Sequence, residues 1–266
     1  MHSWSLYLFN LAIQSAVGGC ILLLIYNGLL NKVVVKDVLH RYNSKSVFTL
    51  AILSIVGLVI SFFHLGYPLH AFNAINNLGS SWLSREIFFT SIFIVLLCLT
   101  VLVTWKKQQL NQPLLVLGSI AGVVAVYSMG SLYSNTIFTE WNGVNTIVGF
   151  YCTAFVLGTV VISLLFLPLL NKAAETFQAI KMPTLLIVLS AFIVQFIFMA
   201  TFGSGIAALN ISVSLIRWIC SAVAAILLVY LYYPRRESRI ELVYLAFGLM
   251  LIGELIGKYL FYSPLA

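Results

Sequence analysis

LYLFNLAIQSAVGGCILLLIYNGLL, residues 6–30, contains no Asp, Glu, Lys or Arg. A helix needs ~20 predominantly apolar residues to cross ~30 Å of hydrocarbon, and this stretch exceeds that length. It is also too long for the apolar region of a cleavable signal peptide. Residues 1–5 carry no Lys or Arg to form the basic flank of such a peptide. The expectation is a true first membrane span.

Seven further apolar runs follow, at 46–66, 85–105, 114–134, 146–170, 183–203, 211–233 and 240–262. Their apolar residues are continuous rather than alternating, which indicates helices and not barrel strands. Composition agrees: 62% of the 266 residues are hydrophobic and 8% are charged. Soluble domains carry about 25% charged residues. The expected fold is all-α, one polytopic membrane domain over 1–266, built as a bundle of eight transmembrane helices. No soluble domain, linker or low-complexity segment interrupts it.

The formal charge of +7 invites a nucleic-acid reading. The distribution of the basic residues argues against it. Lys32, Lys36, Arg41 and Lys45 follow the first run, and Lys106 and Lys107 follow the third. Lys172 and Lys181 follow the fifth, and Arg235, Arg236 and Arg239 follow the seventh. Eleven of the fourteen Lys and Arg residues thus fall on one side. The positive-inside rule then places both termini on the extracytoplasmic side. Trp4, Trp82, Trp141 and Trp218 are expected at the outer interface and Trp105 at the inner one, as aromatic belts require.

Three basic residues remain: Arg85, Arg217 and Lys258, each near the outer end of its helix. Glu86 and Glu254 accompany them, His64 closes the second run, and Gln14 lies about two turns into the first. The embedded polar residues therefore concentrate in the outer half. Ionisable groups inside spans are expensive and mark cavities, pathways or partners. Glu254 and Lys258 are spaced i, i+4 on one face and can pair. Two readings stand side by side for these residues: a functional site, or ion pairs and snorkelling side chains that hold helices together. His64 is the strongest single candidate, because histidine exchanges protons near neutral pH. Its plain alternative is an interfacial polar cap.

Other chemistry is poorly supported. Cys20, Cys98, Cys152 and Cys220 all lie in apolar runs without CxxC spacing, so the chain offers no iron–sulfur site. Of His2, His40, His64 and His70, only His64 is at a span, so bis-histidine haem is not expected. Metal-ligand spacing is absent too. The pairs Gly118–Gly122 and Gly253–Gly257, with Gly18–Gly19, are expected at close helix crossings. Gly66-Tyr67-Pro68 reads as a helix stop.

The segment His64-Leu65-Gly66-Tyr67-Pro68-Leu69-His70-Ala71-Phe72-Asn73, with Asn76-Asn77-Leu78-Gly79-Ser80-Ser81 and Ser84-Arg85-Glu86-Ile87, resembles the helix 2–helix 3 region of the DmsC family. These are the membrane anchors of anaerobic dimethyl sulfoxide reductases. Gln14-Ser15-Ala16-Val17-Gly18-Gly19 resembles that family's first helix. Gly253-Glu254-Leu255-Ile256-Gly257-Lys258 with Phe261-Tyr262 resembles its last. Lys258 stands where the resemblance leads one to expect arginine; the charge is kept, a bidentate contact is not.

The resemblance implies a three-subunit complex in the bacterial cytoplasmic (inner) membrane. A molybdopterin subunit reduces the oxide, an iron–sulfur subunit conducts electrons, and the anchor oxidises menaquinol without haem or cluster of its own. By position it ties His64 and Glu86 to quinol chemistry. Gln14, Arg85, Glu254 and Lys258 join them as candidate quinol-binding residues. The alternatives are a polytopic small-solute transporter, a related anchor of the polysulfide or tetrathionate type, and a membrane sensor or assembly factor.

Overall fold

The computed structural model describes residues 3–64, 76–136, 141, 143–170, 174–202, 211–232 and 240–263. Among these, eight α-helices follow in order: α1 (Ser3–Leu30), α2 (Lys36–Ser61), α3 (Trp82–Lys107), α4 (Gln112–Ser134), α5 (Val144–Leu170), α6 (Ala174–Phe202), α7 (Ile211–Tyr232) and α8 (Ile240–Tyr262). A 3-10 turn, Phe62–His64, continues α2. All eight helices are long and apolar enough to cross a membrane, and no strand occurs among the described residues. The end of the bundle where α1 begins and α8 ends is termed the terminal end. The opposite end, where α2 begins with Lys36 and α3 stops at Lys107, is termed the basic end.

The centre of the bundle is α1 against α5. In each, 72% of the most apolar stretch is buried inside the protein, against 22% in α7. Helices in lipid gain little from the hydrophobic effect and are held by close packing, which small residues permit. A Cβ on Gly158 would run into the backbone of Gly18 and Gly19, and one on Gly18 into the Ala154 carbonyl. The two backbones therefore touch at these glycines. Around this pair, α2, α4, α6 and α8 pack on α1. Helix α3 pairs with α4, and α7 with α8.

Local signals explain several helix ends. Ser81 caps α3, its hydroxyl accepting from the Ser84 N–H at 3.3 Å. Asn111 caps α4 through the Leu114 N–H at 3.1 Å, with Pro113 in the first turn where its missing donor costs nothing. Helix α3 stops at Gln108, which adopts a left-handed φ of 52°.

The helices overrun the expected runs at the basic end. Helix α2 begins at Lys36, so Lys36, Arg41 and Lys45 belong to a helix and not to a loop. Lys106 and Lys107 likewise end α3. Long basic side chains can reach water from a helix end, so charge does not stop the helix there. Helix α6 begins at Ala174 and contains both Lys181 and Pro183, which sequence placed at the helix edge. Proline removes one backbone donor, but membrane helices tolerate it where neighbouring groups satisfy the freed carbonyls. The adjoining Thr184 hydroxyl bonds the Ile180 carbonyl at 2.7 Å, one residue on from the Ala179 carbonyl that Pro183 leaves without its helical donor.

Two further expectations need correction. Trp141, between α4 and α5, does not face outward as a belt residue would; it is buried, stacked on Phe261 at 5.4 Å, and donates Nε1–H to the Phe261 carbonyl at 2.8 Å. A nearby carbonyl satisfies its one donor, so it can leave the water. Embedded polarity is also not confined to the terminal half. Towards the basic end, the Tyr26 hydroxyl bonds Ser163 (3.0 Å) and Thr184 (2.7 Å), tying α1 to α5 and α6. Asn43 Nδ2 donates to Asn27 Oδ1 at 2.6 Å, tying α2 to α1. Such neutral side chains carry no charge signal in the sequence.

Candidate functional site

Three buried stripes converge in the terminal half of the bundle. Asn10, Gln14 and Val17 lie at i, i+4 and i+7 on α1, hence on one face. Glu86, Thr90 and Phe93 repeat that spacing on α3. Gly122, Val126, Met129 and Tyr133 form the facing stripe of α4. All of these residues are buried. The three helices pinch together at Gly122. A Cβ there would stand 2.7 Å from Val17 and 3.0 Å from Phe93. One turn nearer the terminal end, Gln14 and Thr90 succeed Val17 and Phe93, and Asn10 and Glu86 lie a further turn out.

Helix α8 closes the group with Tyr262. Its ring meets Tyr133 at 5.6 Å and Tyr7 at 6.3 Å, both edge to face. Glu86 is near enough to both the Tyr133 and Tyr262 hydroxyls to act on them electrostatically, and Asn10 adjoins Tyr133. Residues from α1, α3, α4 and α8 thus face one buried polar region.

The polar atoms of this region are not satisfied by the protein. Among the described residues, no hydrogen-bond partner meets Asn10 Oδ1, either amide atom of Gln14, Glu86 Oε2, Thr90 Oγ1 or the Tyr262 hydroxyl. Buried polar groups are normally paired, and each exception needs an explanation. Unpaired atoms gathered on facing stripes indicate a place built for a polar ligand or for water.

The other expected site residues lie elsewhere. Arg85 grips the turn before α3: Nε donates to the Leu78 carbonyl at 2.8 Å and Nη2 to that of Gly79 at 2.7 Å. Its guanidinium covers the Trp82 ring at 4.3 Å. The backbone of His64 ends the 3-10 turn, which packs against α1. Its side chain, like residues 65–75, lies outside the described part.

Glu254 and Lys258 form a second group with α5 and α7. The Thr153 hydroxyl donates to Glu254 Oε2 at 2.6 Å. Arg217 and Lys258 are both near Glu254, so two basic side chains share the neighbourhood of one carboxyl group. The missing side chain of Gly257 makes room for Arg217; a Cβ there would lie 2.6 Å from its Nε and Cζ. Lys258 Nζ stands 3.3 Å from the Phe150 ring centroid. Phe150 and Phe261 also pack on Tyr133, at 5.8 and 5.3 Å. An aromatic wall therefore separates the charged group from the Gln14–Glu86 region.

The sequence alone did not reveal Asn10, Thr90, Tyr133 and Tyr262 as members of the site. Asn10 was visible as the i−4 neighbour of Gln14, and Thr90 as the i+4 neighbour of Glu86. Tyr133 gave no such signal, since interfacial tyrosines are common, and Tyr262 stood out only within the last-helix resemblance. Among the described residues, no group of three or more His, Cys, Asp or Glu could hold a metal ion.

Residues 1–263 match the family model described as DMSO reductase anchor subunit (DmsC). The protein belongs to the DmsC family. It is 30% identical to the anaerobic dimethyl sulfoxide reductase protein YnfH of Escherichia coli, over 98% of its own length and 94% of that of YnfH. It is 30% identical, with the same coverage, to the C chain of the E. coli anaerobic dimethyl sulfoxide reductase. The corresponding C chain from Haemophilus influenzae is 30% identical over 70% of this protein and 65% of its own length. No solved structure matches this DmsC-family protein. The match includes all eight spans, so both polar groups lie within the DmsC framework.

Proposed function

We propose that the protein anchors a dimethyl-sulfoxide-reductase-type complex in the bacterial cytoplasmic membrane and oxidises menaquinol in the region between α1, α3, α4 and α8. The observation that carries this is the fully buried Gln14, whose two amide atoms both lack a partner among the described residues while unpartnered Glu86 Oε2 faces the same region. A quinol presents two hydroxyls at opposite ends of an apolar ring. It suits a pocket with polar atoms on opposing helices and aromatic and aliphatic walls. Family membership favours an anchor over a solute transporter.

In this reading the termini and the Gln14–Glu86 region lie on the extracytoplasmic side, following the basic residues. An iron–sulfur subunit docks at the terminal end and takes two electrons, which it passes to a molybdopterin subunit that reduces an S- or N-oxide. One hydroxyl proton goes to the Glu86 carboxylate. His64, at the terminal end of α2, takes or relays the other. Both protons leave outward, so the step moves no net charge across the membrane. Arg85 holds the entry to α3, and the Glu254–Lys258–Arg217 group ties α8 to α5 and α7.

The test is menaquinol-analogue oxidation in membranes holding the whole complex, comparing the native protein with Glu86→Gln and His64→Ala. Loss of turnover, with assembly and dye-driven reductase activity retained, supports the site. Unchanged turnover in both variants overturns it.

A further inference from the structure

Tyr262 is the least expected member of the polar region. It sits on the last turn of α8, yet it is buried, with 3% of its surface exposed. Its ring is boxed edge-on by Tyr133 (5.6 Å), Tyr7 (6.3 Å) and Phe261 (5.0 Å). A ring held on three sides cannot swing its hydroxyl to water. Tyr133 is close enough to that hydroxyl for a weak hydrogen-bonding interaction and Glu86 is its charged neighbour, but no group among the described residues meets it within hydrogen-bond distance and angle. Tyrosine hydroxyls normally find a partner when buried. Tyr7, by contrast, has one: its hydroxyl donates to the Leu255 carbonyl at 2.9 Å. The aromatic box therefore aims an unused O–H at the region where Glu86 Oε2 is also unused.

We propose that Tyr262 is a substrate-binding residue that donates its hydroxyl hydrogen bond to the same headgroup oxygen whose proton Glu86 accepts. This deepens the quinol reading and rests on it. The division of labour follows from the chemistry of that oxygen. In the quinol it carries a proton, which the Glu86 carboxylate receives. As the proton leaves and the ring gives two electrons to the iron–sulfur subunit, the C–O single bond becomes C=O; the opposite hydroxyl loses the second proton. The oxygen near Glu86 thus ends as an acceptor with no hydrogen of its own. A carboxyl group that has just taken the proton must pass it outward and so leaves that acceptor, whereas a neutral phenol donates to it throughout. Tyr262 is accordingly worth more to the quinone end of the reaction than to the quinol end. Interactions that strengthen along the reaction raise turnover as well as binding.

The experiment compares the native protein, Tyr262→Phe and Glu86→Gln in membranes holding the complete complex. Dimethylnaphthoquinol is the substrate and dimethylnaphthoquinone the binding probe. Reductase activity driven by a soluble dye monitors assembly. Tyr262→Phe keeps the ring and its aromatic box, so assembly should be unaffected. The expected result is about a tenfold loss of naphthoquinone affinity, the effect of one lost hydrogen bond, with a smaller rise in KM for the quinol and a fall in kcat. Equal KM, kcat and quinone affinity in Tyr262→Phe, with Glu86→Gln impaired, would remove Tyr262 from the site and leave the site itself standing. No effect in either variant would overturn the quinol reading and this inference together.

Discussion

The Thr153 hydroxyl donates a 2.6 Å hydrogen bond to the Glu254 carboxylate, joining α5 to α8 in the middle of the charged group. Glu254 is 1% exposed, and its other oxygen has no partner among the described residues. Thr153→Val keeps the shape and deletes the donor. It should cost about 2 kcal/mol, the usual cost of removing a hydrogen bond to a buried charge. Thermal unfolding of the detergent-purified complex would register this. Quinol KM should stay unchanged, because Phe150 and Phe261 stand between this group and the Gln14–Glu86 region. A raised KM with normal unfolding would mean that the two groups work as one.

Lys258 is one of the two basic residues near Glu254. Lys258→Met leaves a buried carboxylate with Arg217 alone and should destabilise the complex by about 3 kcal/mol. Lys258→Arg keeps the charge, and a guanidinium also binds an aromatic face such as that of Phe150. The yield of assembled complex in membranes should be near normal for arginine and low for methionine.

At the crossing of α1 and α5 there is no space for a methyl group. Gly18→Ala drives a Cβ into the Ala154 carbonyl, and backbone cannot step aside as a side chain can. Its cost should exceed about 2 kcal/mol, at or above the middle of the overpacking range. A Cβ on Gly28 would have nothing within 4 Å, so Gly28→Ala on the same helix is the control. Immunodetection of membrane-inserted protein should show loss for the first and none for the second.

The proposed orientation, with the basic clusters on the cytoplasmic side, puts both ends of the eight-span chain on the extracytoplasmic side. A reporter that folds only outside the cytoplasm should therefore be active when fused after Ala266. It should be inactive when inserted in the 233–239 connection, which holds Arg235, Arg236 and Arg239.

The spans were legible because each is a long, predominantly apolar run with few charges, and α8 begins and ends where its run does, at Ile240 and Tyr262. The basic end was less legible. Lys36, Arg41 and Lys181 read as loop, but a charge at a helix end is compatible with helix when its side chain reaches water. The site was legible in part. Gln14 and Glu86 stand out as polar residues in apolar runs, and the structure brings both to one region. That Glu254 and Lys258 belong to another region could not be read, because it depends on which face of α8 meets α5 and α7. Tyr262 was hidden for the same reason: only the packing of Tyr7, Tyr133 and Phe261 around it shows that its hydroxyl points away from water.

Quinol seated among α1, α3, α4 and α8 is the centre of the proposed function. Photo-cross-linking of an azido-naphthoquinone to the intact complex, with peptide mapping of the labelled protein, tests it most directly. Label on the α1 segment around Asn10–Gln14, on α3 around Glu86–Thr90 and on the end of α8 at Tyr262, competed away by dimethylnaphthoquinol, is the predicted result. Competed label confined to α5 and α7 around Thr153 and Arg217, or to the basic end near Tyr26 and Asn43, would contradict it.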